Sequence, residues 1–110
     1  MARTSSELLQ GTVDVLILRT LAWEPMHGYA ISRWLVARTD GVLSVDGAAL
    51  YQALHRLERR KWVVASWGVS ENNRKAKFYA LTAAGRTHLR AESLVWTKYA
   101  EAVFKVLSPA

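Results

Sequence analysis

The sequence contains no cysteine. That excludes disulfide cross-links and thiolate metal sites, and it suits a reducing compartment. No apolar run approaches the roughly 20 residues that a membrane-spanning helix needs. Met1 to Gln10 lacks the charged-then-apolar pattern of a secretion leader, and Val13 to Ala22 is interrupted by Asp14, Arg19 and Thr20. A cytoplasmic protein without a membrane partner is expected. There is no internal repeat and no low-complexity stretch. The three histidines, His27, His55 and His88, fall in different elements with no carboxylate cluster beside them, so no metal site is expected. Nor is there a phosphate-cradling glycine loop, a nucleophile with its base, or a pair of carboxylates at catalytic spacing. Neither an enzyme nor a cofactor is expected.

What is present is a short basic chain with a substantial apolar content. The 110 residues suit one domain, 51% of them are hydrophobic, and the formal net charge is +6 with a pI near 10.1. Such a balance fits a polyanionic partner. Five tryptophans supply large apolar surfaces, read as core and interface residues.

Periodicity divides the chain into six elements. Leu8 to Trp23 reads as a helix with two apolar faces, one of Leu9, Val13, Leu16, Ile17 and Thr20, the other of Leu8, Val15, Leu18 and Ala22. Thr12 is a candidate cap within it. Glu24-Pro25-Met26-His27-Gly28 is a breaker cluster, with His27 fixing the turn. Tyr29 to Arg38 reads as a second helix ending at Thr39-Asp40-Gly41, and Asp46 as the N-cap of a third over Gly47 to Lys61. Trp62–Trp67 and Lys77–Leu81 are short runs rich in β-branched and aromatic residues, joined by the polar stretch Gly68–Ala76. They form a hairpin. Thr82 caps a last helix ending near Leu107. The expected fold is mainly α with a small β-hairpin, a winged helix-turn-helix (1–81) followed by a C-terminal dimerisation helix (82–110).

The third helix suggests what such a domain binds. With Leu50, Leu54 and Leu57 inward, Gln52, His55, Arg56 and Arg59 fall on the opposite face, and Tyr51 at its margin. Glutamine reads adenine edges, arginine reads guanine or holds phosphate, and tyrosine donates to phosphate. Taken alone, a solvated helix face accounts for these residues equally well. Arg74, Lys75 and Lys77 at and beside the hairpin tip favour the first reading, because folding does not require three cations there. A basic helix beside a basic wing is the footprint of a protein lying along double-stranded DNA.

The ordered motifs resemble the PadR family of bacterial regulators, in its short form with a single C-terminal helix. The resemblance runs from about Leu8 to Trp96. It rests on Leu9-Gln-Gly-Thr12 leading into Asp14, on Met26-His-Gly-Tyr29 with Ile31, and on Leu50-Tyr51-x-Ala53-Leu54-x-Arg56-Leu57-Glu58. Trp67-Gly68, Ser70-Glu-Asn-Asn-Arg74 with Lys77-Phe-Tyr79, and Leu81-Thr82-x-x-Gly85-Arg86 complete it. The resemblance implies a dimeric DNA binder, commonly a repressor, often released by a small hydrophobic compound. It also implies phosphate contact by Tyr51, major-groove entry by the third helix, and a flanking contact by Arg74, Lys75 and Lys77. Ala48-Ala49 departs from the family's Gly followed by Ser or Thr, so the hydroxyl–phosphate bond expected there cannot form, and the resemblance does not imply the family's usual operator.

In the last helix, Leu89, Trp96, Ala100, Val103 and Leu107 form an apolar stripe, widened by Val95, Tyr99, Ala102 and Val106. A two-fold dimer is expected, this helix packing on the partner's first helix through Leu8, Val15, Leu18, Leu89, Trp96, Tyr99, Ala100 and Val103. Trp96 is read as interface packing or as a platform on which a small planar hydrophobic ligand stacks. The alternative function is a winged-helix module that binds protein and not DNA.

Overall fold

The computed structural model describes residues 5–109, with side chains described from Gly11 onward. Seven elements follow in order: α1 (Ser5–Trp23), β1 (Met26–His27), α2 (Gly28–Arg38), α3 (Gly47–Arg59), β2 (Val63–Val69), β3 (Lys75–Leu81) and α4 (Ala83–Leu107). The helix order and the hairpin agree with expectation. β1 is new: two residues are too few to show a period, and the breaker cluster around Pro25 reads as turn alone. It adds an antiparallel edge, giving the order β1-β3-β2, with Met26 opposite Tyr79 and His27 opposite Phe78. α1 runs through Thr12 without interruption, so no cap lies there.

Local chemistry sets the element ends. The His27 ring accepts the Ala30 N–H at 3.2 Å and caps α2. The Asp46 carboxylate accepts the Ala49 N–H at 2.9 Å and caps α3. Both helices stop in the same way. At α2, Asp40 turns left-handed (φ 52°) and the Gly41 N–H reaches back to the Val36 carbonyl at 2.8 Å. At α3, Lys61 (φ 64°) does this, and the Trp62 N–H donates to the Leu57 carbonyl at 3.0 Å. Sequence periodicity carried α3 to Lys61; the reversed backbone ends it at Arg59.

The hairpin is tighter than its polar sequence suggests, since both strands extend into the stretch read as tip. Val63 to Val69 pairs with Leu81 to Lys75, leaving 70–74 as the turn. The Ser70 N–H donates to the Arg74 carbonyl at 2.8 Å, and Asn73 adopts φ 59°, a conformation that asparagine tolerates better than most residues.

The core is built from Ile17, Leu18 and Leu21 of α1, Ile31 and Leu35 of α2, Leu50, Leu54 and Leu57 of α3, Val63 and Tyr79 of the sheet, and Leu89 of α4. Thr20, fully buried, donates its hydroxyl to the Leu16 carbonyl at 2.8 Å, which satisfies the polar group locally. Thr82 both caps α4, accepting the Gly85 N–H at 3.0 Å, and donates to the Lys61 carbonyl at 2.7 Å. The first turn of α4 is thereby pinned to the end of α3.

One expectation about α1 is corrected here. α4 packs on α1 of its own chain, and Leu18 is 0% exposed, with Val15 at 9% and Leu89 at 8%. These are core positions of one protomer rather than surfaces that wait for a partner. Leu8 lies outside the residues whose side chains are described. Beyond Leu89 the picture changes. Leu94, Val95, Tyr99, Val103, Phe104, Val106 and Leu107 are exposed, and Trp96 is half-buried against the core with Tyr99 edge-on at 5.6 Å. Among the described residues, no helix is long and apolar enough to cross a membrane.

Candidate nucleic-acid interface

α3 presents one buried and one open face because its leucines recur at helical spacing. Leu50, Ala53, Leu54 and Leu57 are buried, and Tyr51, Gln52, His55 and Arg59 are exposed. Gln52, His55 and Arg59 have no side-chain partner among the described residues, and their polar atoms remain available to a ligand. Tyr51 is held more firmly. Its ring covers Gly28 so closely that a Cβ there would lie 2.7 Å from the phenol oxygen. The bare glycine therefore places the phenol over the opening turn of α2.

Arg56 behaves differently from the expectation. It does not join the open face; its guanidinium reaches α1 and donates to Asp14 Oδ1 at 2.7 Å, with both side chains about one-fifth exposed. Two charges so far from solvent require each other, since either alone would remain desolvated and unmatched. The Arg56 Nε is buried with no hydrogen-bond partner in the structure. Helical spacing places Arg56 beside His55, but whether a long side chain turns outward or inward depends on what stands opposite, and here that is Asp14, 42 residues away in sequence.

The wing cations divide in a similar way. Arg74 and Lys75 are exposed. The Lys77 ammonium lies 3.4 Å from Glu58 Oε1, half-buried, and 5.7 Å from the centre of the Tyr79 ring. It joins the wing to α3 and is not a free cation. Burial pushes the Tyr79 phenol above its ordinary pKa, the Lys77 charge opposing this in part.

At the wing tip, Glu71 Oε2 stands 3.5 Å from His27 Nε2. His27 Nδ1 accepts the Ala30 N–H, so the neutral ring carries its proton on Nε2, directed at the carboxylate. A backbone hydrogen bond, and then the His27 contact, hold the Glu71 carboxyl below the usual carboxylate range. The edge of the His27 ring rests on Phe78, 5.3 Å between centres. One imidazole thus connects the start of α2 with both the sheet and the turn of the wing.

Between the helices and the wing lies an open groove of about 690 Å³. Tyr29 and Tyr51 line the helical side, with Trp67, Arg74 and Lys75 on the wing side. Two of these, Tyr29 (61% exposed) and Trp67 (65%), belong to motifs named in the sequence but not to the residues expected to touch DNA. The signal for Trp67 was the parity of β2. It shares a face with Val63 and Ala65, but it lies beyond the point where that face leaves the core.

The comparisons agree with this geometry. Residues 17–91 match the profile of the transcriptional regulator PadR-like family. The fold superimposes on a transcriptional regulator from Clostridium thermocellum with a TM-score of 0.82 and 25% identity, over 96% of this chain and 100% of that one. A PadR family transcriptional regulator from Eggerthella lenta matches with a TM-score of 0.73 and 29% identity, over 94% of this chain and 88% of that one. An uncharacterised protein from Lysinibacillus sphaericus is 29% identical over 98 residues, which is 89% of this chain and 90% of the relative. The family is one of transcription regulators and not of enzymes. With its helix order, its wing and a family match over more than half of its length, the chain belongs to the PadR-like family of transcriptional regulators.

Proposed function

We propose that the chain is a sequence-specific repressor that binds an inverted-repeat operator as a homodimer in the cytoplasm. The observation that carries this reading is the exposed set Tyr51, Gln52, His55 and Arg59 on α3 together with Arg74 and Lys75 on the wing. One strip of base-reading and phosphate-binding groups results, on a chain of net charge +6. α3 enters the major groove and the wing lies on the adjoining backbone. Arg56 and Lys77 orient this surface through Asp14 and Glu58 instead of touching DNA. Residues 1–81 carry the DNA surface, and 82–110 provide dimerisation through the exposed apolar side chains of α4, with Tyr99, Ala100 and Val103 beside Trp96. A planar hydrophobic effector stacks on Trp96 in that interface and releases the operator.

Selecting bound fragments from random duplex DNA with the purified protein tests this. A short inverted repeat is expected. Affinity for that duplex should fall steeply with salt, and Arg74→Ala should flatten the log–log slope by about one. Recovery of no duplex above background would leave the alternative, a module that binds protein.

A further inference from the structure

Trp67 is the largest exposed side chain on the wing, and nothing in the chain requires an indole there. Its strand neighbours on the same face, Val63 and Ala65, pack into the domain. Trp67 follows them in register, opposite Lys77, but remains 65% exposed. An apolar ring in water is unfavourable, and a polar residue would serve the strand as well. Its surroundings are cationic. The Lys75 ammonium lies over the indole at 5.1 Å, and Arg74 follows in the turn. The nearby carboxylates are already engaged, Glu58 with Lys77 and Glu71 with His27. This leaves an apolar plate with an ammonium over it and no free carboxylate beside it, in the groove shared with Tyr51.

We infer that Trp67 and Lys75 together form a clamp on one sugar–phosphate strand of duplex DNA, the strand separating the groove read by α3 from the groove beside the wing. The inference rests on the DNA-binding reading above. The occupant follows from the chemistry of the patch. A DNA strand alternates apolar deoxyribose edges with phosphates, and an indole with an adjacent ammonium offers one group to each. The indole covers sugar C–H groups while Lys75 neutralises the neighbouring phosphate. With its ammonium already over the ring, Lys75 keeps less rotational freedom to lose on binding. The pair therefore acts through contact area as well as charge, unlike Arg74, which acts through charge.

The test uses the full chain and the fluorescein-labelled duplex recovered in the selection above. Trp67→Ala should raise Kd about tenfold, the effect of returning roughly 50 Å² of apolar contact to water, without changing the salt slope. Lys75→Ala should weaken binding and lower that slope by about one. Trp67→Phe, which keeps an aromatic plate, should stay within about threefold of the native chain. A second measurement does not depend on the alanine variant folding. DNA should shield the native chain's tryptophan emission from acrylamide, and Trp67→Phe should lose that shielding. Native-like affinity of Trp67→Ala, or equal shielding in the native chain and Trp67→Phe, overturns the clamp and leaves the regulator reading intact. A native chain that binds no duplex overturns both, and a protein partner whose binding requires Trp67 would then take the clamp's place.

Discussion

Gly85 has no room for a side chain. A Cβ there would run into the Trp62 carbonyl oxygen and would stand 2.8 Å from a Leu81 methyl carbon. The first of these obstacles is backbone and cannot rotate away. The close approach lets Thr82 join the start of α4 to the end of α3, and it brings His88 flat against the Trp62 ring at 3.6 Å. Gly85→Ala should force the helix off this seat at a cost of roughly 2–4 kcal/mol. At fixed protein concentration, that should appear as a melting temperature lower by about ten degrees or more. Melting within two degrees of native, followed by circular dichroism, would show that α4 has more freedom than this contact implies. Gly85 was visible in sequence only as part of a family-like motif. Its physical reason, a carbonyl 23 residues earlier in the chain, is a tertiary fact.

At the scale of the element, α3 is held at three places. Asp46 caps its start, Arg56 ties its middle to α1, and Glu58 ties its last turn to the wing through Lys77. A helix that presents side chains to a groove needs such restraint, because small displacements of its axis misplace every contact it makes. Asp14→Ala should cost about 3 kcal/mol by leaving Arg56 charged, poorly solvated and without its carboxylate. It should also weaken DNA binding, although Asp14 itself stands on α1. The double variant Asp14→Ala with Arg56→Met should recover more than half of the lost stability, since it removes the orphaned charge. Urea unfolding of the two variants measures this, and a single variant as stable as the native chain would mean that the pair positions nothing. The cap is legible in sequence because it is local. The ion pair is not, and spacing alone places Arg56 on the open face of α3.

For the whole molecule, the governing feature is its shape. The principal extents are 54 × 29 × 23 Å, and the long dimension follows from α4, whose 25 residues span about 37 Å at the usual rise per residue. Only its first half has a core to pack on. The second half exposes Tyr99, Val103, Phe104 and Leu107, large apolar side chains of the kind that mark an interaction surface when they cluster. In the dimer proposed above, a second copy covers them by two-fold symmetry. Val103→Asp combined with Phe104→Asp should therefore convert the dimer to monomers in sedimentation at micromolar concentration while leaving the domain folded, because neither residue belongs to its core. A variant that still sediments as a dimer would place the contact elsewhere, and a native chain that sediments as a monomer would overturn the dimer.

Features that depend on neighbours along the chain are legible without the fold. Periodic leucines define α3 and its buried face, Asp46 and Thr82 start their helices, β-branched and aromatic runs make the hairpin, and the basic balance points to a polyanion. These signals act within one or two turns or between adjacent strands, so they survive without knowledge of the fold. Tertiary structure decided the destinations of long side chains and the pairing of distant segments. Arg56 turns to Asp14, Lys77 to Glu58 and His27 to Glu71. α1 meets α4 of its own chain, and two residues of a breaker cluster become a strand. A flexible charged side chain follows the electrostatic field of whatever packs beside it, and that field exists only once the chain has folded.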